Sequence, residues 1–161
     1  MLRSLVLTFA LLGLPLAAAA DSMSALKEAA KKEANTRLAT KLNLPTAAPA
    51  EAKVYFIEPA DGATVSSPVK VVFGLSGMGV APAGTQMEGT GHHHLLVDKP
   101  TVDVTVPLPA SEQVIHFGKG QTETTLTLKP GTHTLQLVFA DWKHQPFNPT
   151  VASEEITVTV K

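Results

Sequence analysis

The sequence predicts an all-β fold of two antiparallel sheets packed face to face, and three observations carry that expectation. β-Branched segments of period two recur from Lys53 to the C-terminus, Gly and Pro punctuate them, and no helical pattern long enough for a crossover lies between them. Strands are expected near 53–57, 63–65, 69–75, 92–98, 113–117, 122–128, 132–140 and 154–160. Val69, Val71, Phe73 and Leu75 alternate with Lys70, Val72 and Gly74, and Ile156, Val158 and Val160 alternate with Thr157 and Thr159. Each strand therefore has one face for a core. Pro130-Gly131 turns the chain between Leu126 and Leu128 on one side and Leu135, Leu137 and Phe139 on the other. Strands of this length and spacing fit an immunoglobulin-like antiparallel β-sandwich over 53–161.

Two segments precede the sandwich. Residues 1–20 have the pattern of a signal peptide: Arg3 as a positive n-region, an apolar run from Leu5 to Leu16 broken by Pro15, and Ala18-Ala19-Ala20 before the expected cleavage at Asp21. The apolar run falls short of the roughly 20 residues that span a bilayer, so no membrane span is expected after cleavage. The chain is thus expected to be exported to the periplasm. In residues 21–52, Leu26, Ala30, Ala34, Leu38 and Leu42 recur at four-residue spacing among charges, which predicts a short helix over 22–42 with a thin apolar stripe. Pro45, Pro49 and the alanines between them are expected to end it and stiffen a linker.

Composition narrows the chemistry. The 161 residues carry 13 Lys+Arg against 14 Asp+Glu, and loss of residues 1–20 removes only Arg3, which leaves a mature charge of −2. Such a chain has no positive field to gather nucleic acid. With no cysteine, disulfides, thiolate metal sites and thiol nucleophiles are excluded. A metal would have to be held by His, Met, Asp or Glu.

The histidines are the candidates. Alternation puts His93 on the face of Leu95 and Val97, toward the core, and His92 and His94 together on the other face, with Cα atoms roughly 7 Å apart. Two imidazoles at that spacing can converge on one ion, with His144, in the segment after Phe139, as a third ligand. Met78 and Met87 lie in the long Gly/Pro segment before the His run. Imidazole with thioether suits copper, and imidazole with a carboxylate from Asp98 or Asp141 suits zinc or copper. Against this, His93 and His133, which shares the face of Leu135 and Leu137, read as neutral core-edge histidines, and His116 as a solvated strand residue. Trp142 reads as a loop anchor.

Other motifs carry less. Ser24 and Lys27 match the S-x-x-K spacing of acyl-transfer enzymes without companion motifs, and no nucleophile elbow is present, so an enzyme is not expected. Gly118-Lys119-Gly120 precedes a strand where a phosphate loop must open a helix, and reads as a tight turn whose glycines take positive φ.

Four separated motifs look familiar together: Gly77-Met78-Gly79-Val80-Ala81-Pro82-Ala83-Gly84, Gly91-His92-His93-His94-Leu95-Leu96-Val97-Asp98, Phe117-Gly118-Lys119-Gly120-Gln121-Thr122-Glu123 and Pro130-Gly131-Thr132-His133-Thr134-Leu135-Gln136-Leu137. In this order they resemble the bacterial domain-of-unknown-function family 4399, from about Val71 to the C-terminus. The resemblance implies an exported β-sandwich module and no particular reaction. The family is often richer in histidine over the stretch equivalent to Asp141–Ser153, where Trp142 and Phe147 stand here, while His92, His93, His94, His133 and His144 remain.

Two functions follow as expectations. The first is a metal-binding module, for copper or zinc, with His92, His94, His144 and Met78 as ligands, in which the 76–91 and 141–153 loops and the His run gather at one end of the sandwich. Binding in such a site is expected to be lost below about pH 6, since a protonated imidazole cannot ligate. The second is a non-catalytic module for a periplasmic protein or the cell envelope, in which the same histidines are structural.

Overall fold

The computed structural model describes residues 16–42, 44–98, 100 and 102–161. The expected signal sequence lies largely outside these residues. The chain divides into two units, Met1–Leu44 and Pro45–Lys161.

The first unit holds helix α1, Leu16–Lys41, which starts six residues earlier than the apolar spacing suggests. Alanines at 17–20 continue the helix backwards, since alanine has the highest helix propensity. Leu26 and Leu38 are more than half exposed, as a stripe made largely of alanine would dictate. Arg37 closes an i,i+4 ion pair with Glu33 at 2.6 Å. Among the described residues, no helix is long and apolar enough to cross a membrane.

The second unit is a two-sheet all-β sandwich. Its strands are β1 (Lys53–Glu58), β2 (Thr64–Val65), β3 (Val69–Ser76), β4 (Gly79–Val80), β5 (Thr90–Val97), β6 (Val114–His116), β7 (Glu123–Leu126), β8 (Gly131–Ala140), β9 (Pro146–Ala152) and β10 (Ile156–Val160). One sheet has the order β1-β3-β7, and the other β2-β10-β8-β5-β4, with β6 on β5 and β9 on β8. The principal pairings are antiparallel, and the short β2–β10 and β4–β5 pairs are parallel. Between the sheets lies the core, built from the alternating sets: Val69, Val71 and Phe73 of β3, Leu135, Leu137 and Phe139 of β8, and Ile156, Val158 and Val160 of β10. Leu126 of β7 and Leu135 of β8 meet in this core from opposite sheets, so the Pro130-Gly131 turn carries the chain across the sandwich.

Two strands, β4 and β9, lie where the sequence suggests loops. In β9, Pro146 and Pro149 mask a segment that delivers Phe147 and Val151 to the core. Segment 45–52 runs alongside it, with Ala48 N–H donating to Asn148 O at 3.1 Å and Asn148 N–H to Thr46 O at 2.9 Å.

The larger sheet is also covered on its outer face. Leu96 of β5, Val114 of β6 and Val138 of β8 pack there with Leu108, from the long 98–113 connection, in a second small core. Burial on both faces explains why β5 is buried from Gly91 to Val97 without alternation. That outer face is where the histidines gather.

Candidate metal centre

Period two fixes the His run as expected. His93 points inward and packs between Phe73 and Phe139, with ring centroids 5.1 and 5.0 Å away. Burial pushes its pKa down to about 4, although the Gln121 backbone lies near enough to oppose the shift. It is a core residue.

His92 and His94 point to the outer face, fully buried, with ring centroids 4.9 Å apart. Two elements bring further imidazoles to them. Strand β6 pairs with β5 so that His116 lies directly across from His94, and its ring sits 4.9 Å from that of His92 and 5.2 Å from that of His94. His92 lies opposite Ala140, the last residue of β8, and the turn that follows folds His144 back to within 5.0 Å of the His92 ring. Four imidazoles thus share one small volume.

The turn carrying His144 is tightly specified. Asp141 is buried, and its Oδ1 accepts the backbone N–H groups of Lys143 and Gln145, each at 3.0 Å, while Oδ2 accepts the Thr46 hydroxyl at 2.8 Å. His144 N–H donates to Asp141 O, and His144 O accepts Leu108 N–H, both at 2.9 Å. The left-handed backbone of His144, φ 69°, is uncommon for a residue with a side chain and is held by these bonds. The neighbouring segments are tied in as well: Ala83 N–H donates to Gly118 O and Gly84 N–H to Trp142 O. The 76–91 segment therefore does meet the 141–145 turn, but the cluster lies on the face of the sheet, not among loop tips.

Donor chemistry fits a cation. His116 Nε2 and His144 Nε2 are hydrogen-bonded to each other at 3.1 Å, one ring donating its N–H and the other accepting. Two nitrogens bound tetrahedrally to one ion at about 2.0–2.1 Å would be about 3.4 Å apart, so this pair already has ligand spacing. Ligand nitrogens of His92, His94 and His116 all lie within 4.8 Å of one another, and need close by no more than about 1.4 Å to share an ion. Among the described residues, no protein group reaches hydrogen-bonding geometry with either ring nitrogen of His92 or of His94, nor with those of the inward-facing His93. Each such buried polar atom costs roughly 1–3 kcal/mol, which coordination through the acceptor nitrogen would offset at His92 and His94.

Burial first, then the repulsion of neighbouring imidazoles, lowers the pKa of His92 to about 4 and that of His94 to about 3. His116 is shifted down by the same causes. These rings are neutral ligands at neutral pH, and proton competition at His92 and His94 sets in well below the pH 6 expected of ordinary imidazoles.

The structure brings together His92, His94 and His144 among the residues singled out in the sequence, and adds His116. Met78 packs against the main hydrophobic core and Met87 is largely exposed, so each has a place that needs no metal. Asp141 spends one oxygen on the turn and the other on the Thr46 hydroxyl. Asp98, with φ 58°, holds His133 Nδ1 at 3.0 Å, and His133 Nε2 meets Lys129 O at 2.9 Å. His133 is thus a strand staple, with its pKa raised by the Lys129 carbonyl and then by Asp98. His116, read in the sequence as a solvated strand residue, is only partly buried, but strand pairing, invisible in the local pattern, also places it beside His94.

All six histidines fall within residues 71–161, the span matched by the family model described as "Domain of unknown function (DUF4399)". No curated protein matches the chain. Among solved structures, the endo-beta-1,4-mannanase from Thermotoga petrophila is similar at 20% identity and a TM-score of 0.41, over 69% of this chain and 20% of that one. The chain therefore spans about a fifth of the mannanase's length.

Proposed function

We propose that this chain, which belongs to the DUF4399 family, is an exported periplasmic module that binds one transition-metal ion through His92, His94, His116 and His144. The observation that carries this reading is the convergence of four imidazoles on one small volume, with ligand nitrogens of His92, His94 and His116 within 4.8 Å of one another and the His144 ring beside those of His92 and His116. The inward-facing His93 also has no partner at either ring nitrogen among the described residues, but it packs between Phe73 and Phe139, so what sets His92 and His94 apart is the two further imidazoles beside them. Copper is the favoured ion, because nitrogen sites bind divalent copper most tightly of the first-row metals, and zinc is the next candidate. Export rests on the signal-like pattern of residues 1–20, with its n-region, apolar run and Ala-Ala-Ala site.

The test is metal analysis of untagged protein purified from the periplasm, followed by titration with Cu(I), Cu(II) and Zn(II), each repeated on the H92A/H94A variant. The expected result is near-stoichiometric binding, tighter than micromolar, that the double variant loses while keeping its β-sheet circular dichroism. Binding no tighter than micromolar, with the substitutions only lowering Tm, would refute this reading and favour an interaction module scaffolded by its histidines.

A further inference from the structure

His116 is the ligand whose placement depends most on its surroundings. It is the last residue of β6, only partly buried, and its side chain has solvent available on one side. Something must turn its ring inward over the sheet face.

Residue 118 lies two positions on, in the turn that follows β6, where its backbone comes up against the His116 ring. A side chain there would compete with the imidazole for the same space. The residue is Gly118, and a Cβ built on its backbone would overlap both Cε1 and Nε2 of His116, well inside van der Waals contact. It would also press on Ala83 Cβ at 3.2 Å. Gly118 cannot retreat, because its carbonyl accepts Ala83 N–H at 2.9 Å and the preceding Phe117 is buried against Phe73.

Backbone conformation does not account for this glycine. Of the two glycines in the Gly118-Lys119-Gly120 turn, only Gly120 has a left-handed φ, +82°. Both were expected to need one. Gly118 lies outside that region, so any residue adopts its backbone, and what glycine supplies is the slot filled by the His116 ring.

We infer that Gly118 is a positioning residue of the metal centre, whose missing side chain lets His116 turn into the cluster and join His92, His94 and His144. This rests on the reading of the cluster as a metal site. Gly118→Ala keeps every ligand and asks only that a flexible ring swing outward toward solvent. The fold should therefore tolerate it, and replacing glycine where alanine fits the backbone tends to stabilise through the unfolded chain.

The experiment compares the full mature chain, G118A, H116A and the double variant, with Co(II) as the probe. The d–d absorption of Co(II) reports both affinity and coordination number. G118A should bind Co(II) about 10–100-fold more weakly, the range found when groups that orient metal ligands are removed, with Tm unchanged or raised. In the H116A background the same substitution should change affinity by less than about twofold, since the ring it displaces is gone. Co(II) affinity of G118A within about threefold of the parent, or an equal loss in both backgrounds, would overturn the inference.

A second arm needs no metal. In chelator-treated protein, NMR should show ring-to-ring NOEs between His116 and His144, whose centroids are 4.6 Å apart, and G118A should abolish them while keeping those between Phe73 and Phe117. Persistence of the His116–His144 NOEs in G118A overturns the positioning role whatever the metal titration gives. Failure of the parent to bind Co(II), with those NOEs lost in the variant, would count against the metal reading while confirming the placement of the ring.

Discussion

Acid should destabilise the chelator-treated protein well before its carboxylates are protonated, because three histidines are folded in their neutral form. Burial lowers the pKa of His92 and His93 from 6.5 to about 4 and that of His94 to about 3. Above pH 6.5 neither the folded nor the unfolded state protonates these rings, and their contribution is complete. As the pH falls below 6.5 the unfolded chain takes up protons that the folded one refuses, so stability declines until the folded pKa values are reached. Between pH 6.5 and 4.5 each ring accounts for about 2 kcal/mol and the three together for about 6 kcal/mol. A small domain has about 5–15 kcal/mol in total, so much of the margin is consumed. Urea-induced unfolding at pH 7.5, 6.5, 5.5 and 4.5, in chelator throughout, measures this directly. His93→Leu should remove about a third of the decline, since it deletes one of the three titrating groups. A free energy of unfolding that varies by less than about 1 kcal/mol across the range would refute the burial of neutral imidazoles on which the magnitude rests.

Other perturbations separate the roles of individual groups. His93→Leu should leave metal affinity within about twofold of the parent and keep or raise stability at pH 7.5, because it exchanges a polar ring in an aromatic pocket for an apolar side chain. Titration and thermal melting check both halves. Asp141→Ala orphans two backbone N–H groups and the Thr46 hydroxyl, and should cost roughly 3 kcal/mol in urea unfolding while weakening metal binding through the displaced His144 turn. Asp98→Asn removes the partner of His133, whose raised pKa contributes stability below pH 6.5 that is lost as the pH rises through the folded value. Because this pair is partly exposed, the loss should be no more than about 1 kcal/mol at pH 5.5 and close to nothing at pH 8.5. Adding metal should stabilise the parent by about 2.7 kcal/mol at a hundredfold excess over Kd, and H92A/H94A not at all.

What the sequence makes legible here is what period two makes legible. Alternation separates His93 from His92 and His94 and picks out Val71, Phe73, Leu135, Leu137 and Val158 as core, because a strand's two faces are written in consecutive residues. His144 is conspicuous as a ligand-type residue in a segment after a strong strand. Pairing is a different kind of information. His116 reaches the cluster only because β6 pairs with β5 in the register His94 to His116, and no local pattern records which strand lies beside which. Its alternation with Phe117 does put it opposite the core, which is the one signal that could have been followed. Strand β9 was hidden for another reason, since Pro146 and Pro149 mark a loop in a sequence while the edge of a sheet tolerates them. Gly118 shows the same limit at finer scale: glycine suggests unusual backbone, and only three-dimensional proximity reveals that the space above it is the requirement.

The central claim is that imidazoles of this cluster, and no thioether or carboxylate, hold the ion. X-ray absorption of the copper-loaded chain tests it most directly. The account predicts three to four nitrogen scatterers near about 2.0 Å with the outer-shell pattern of imidazole, lost in H92A/H94A. A sulfur scatterer near about 2.3 Å, or a first shell of oxygen without imidazole, would contradict it.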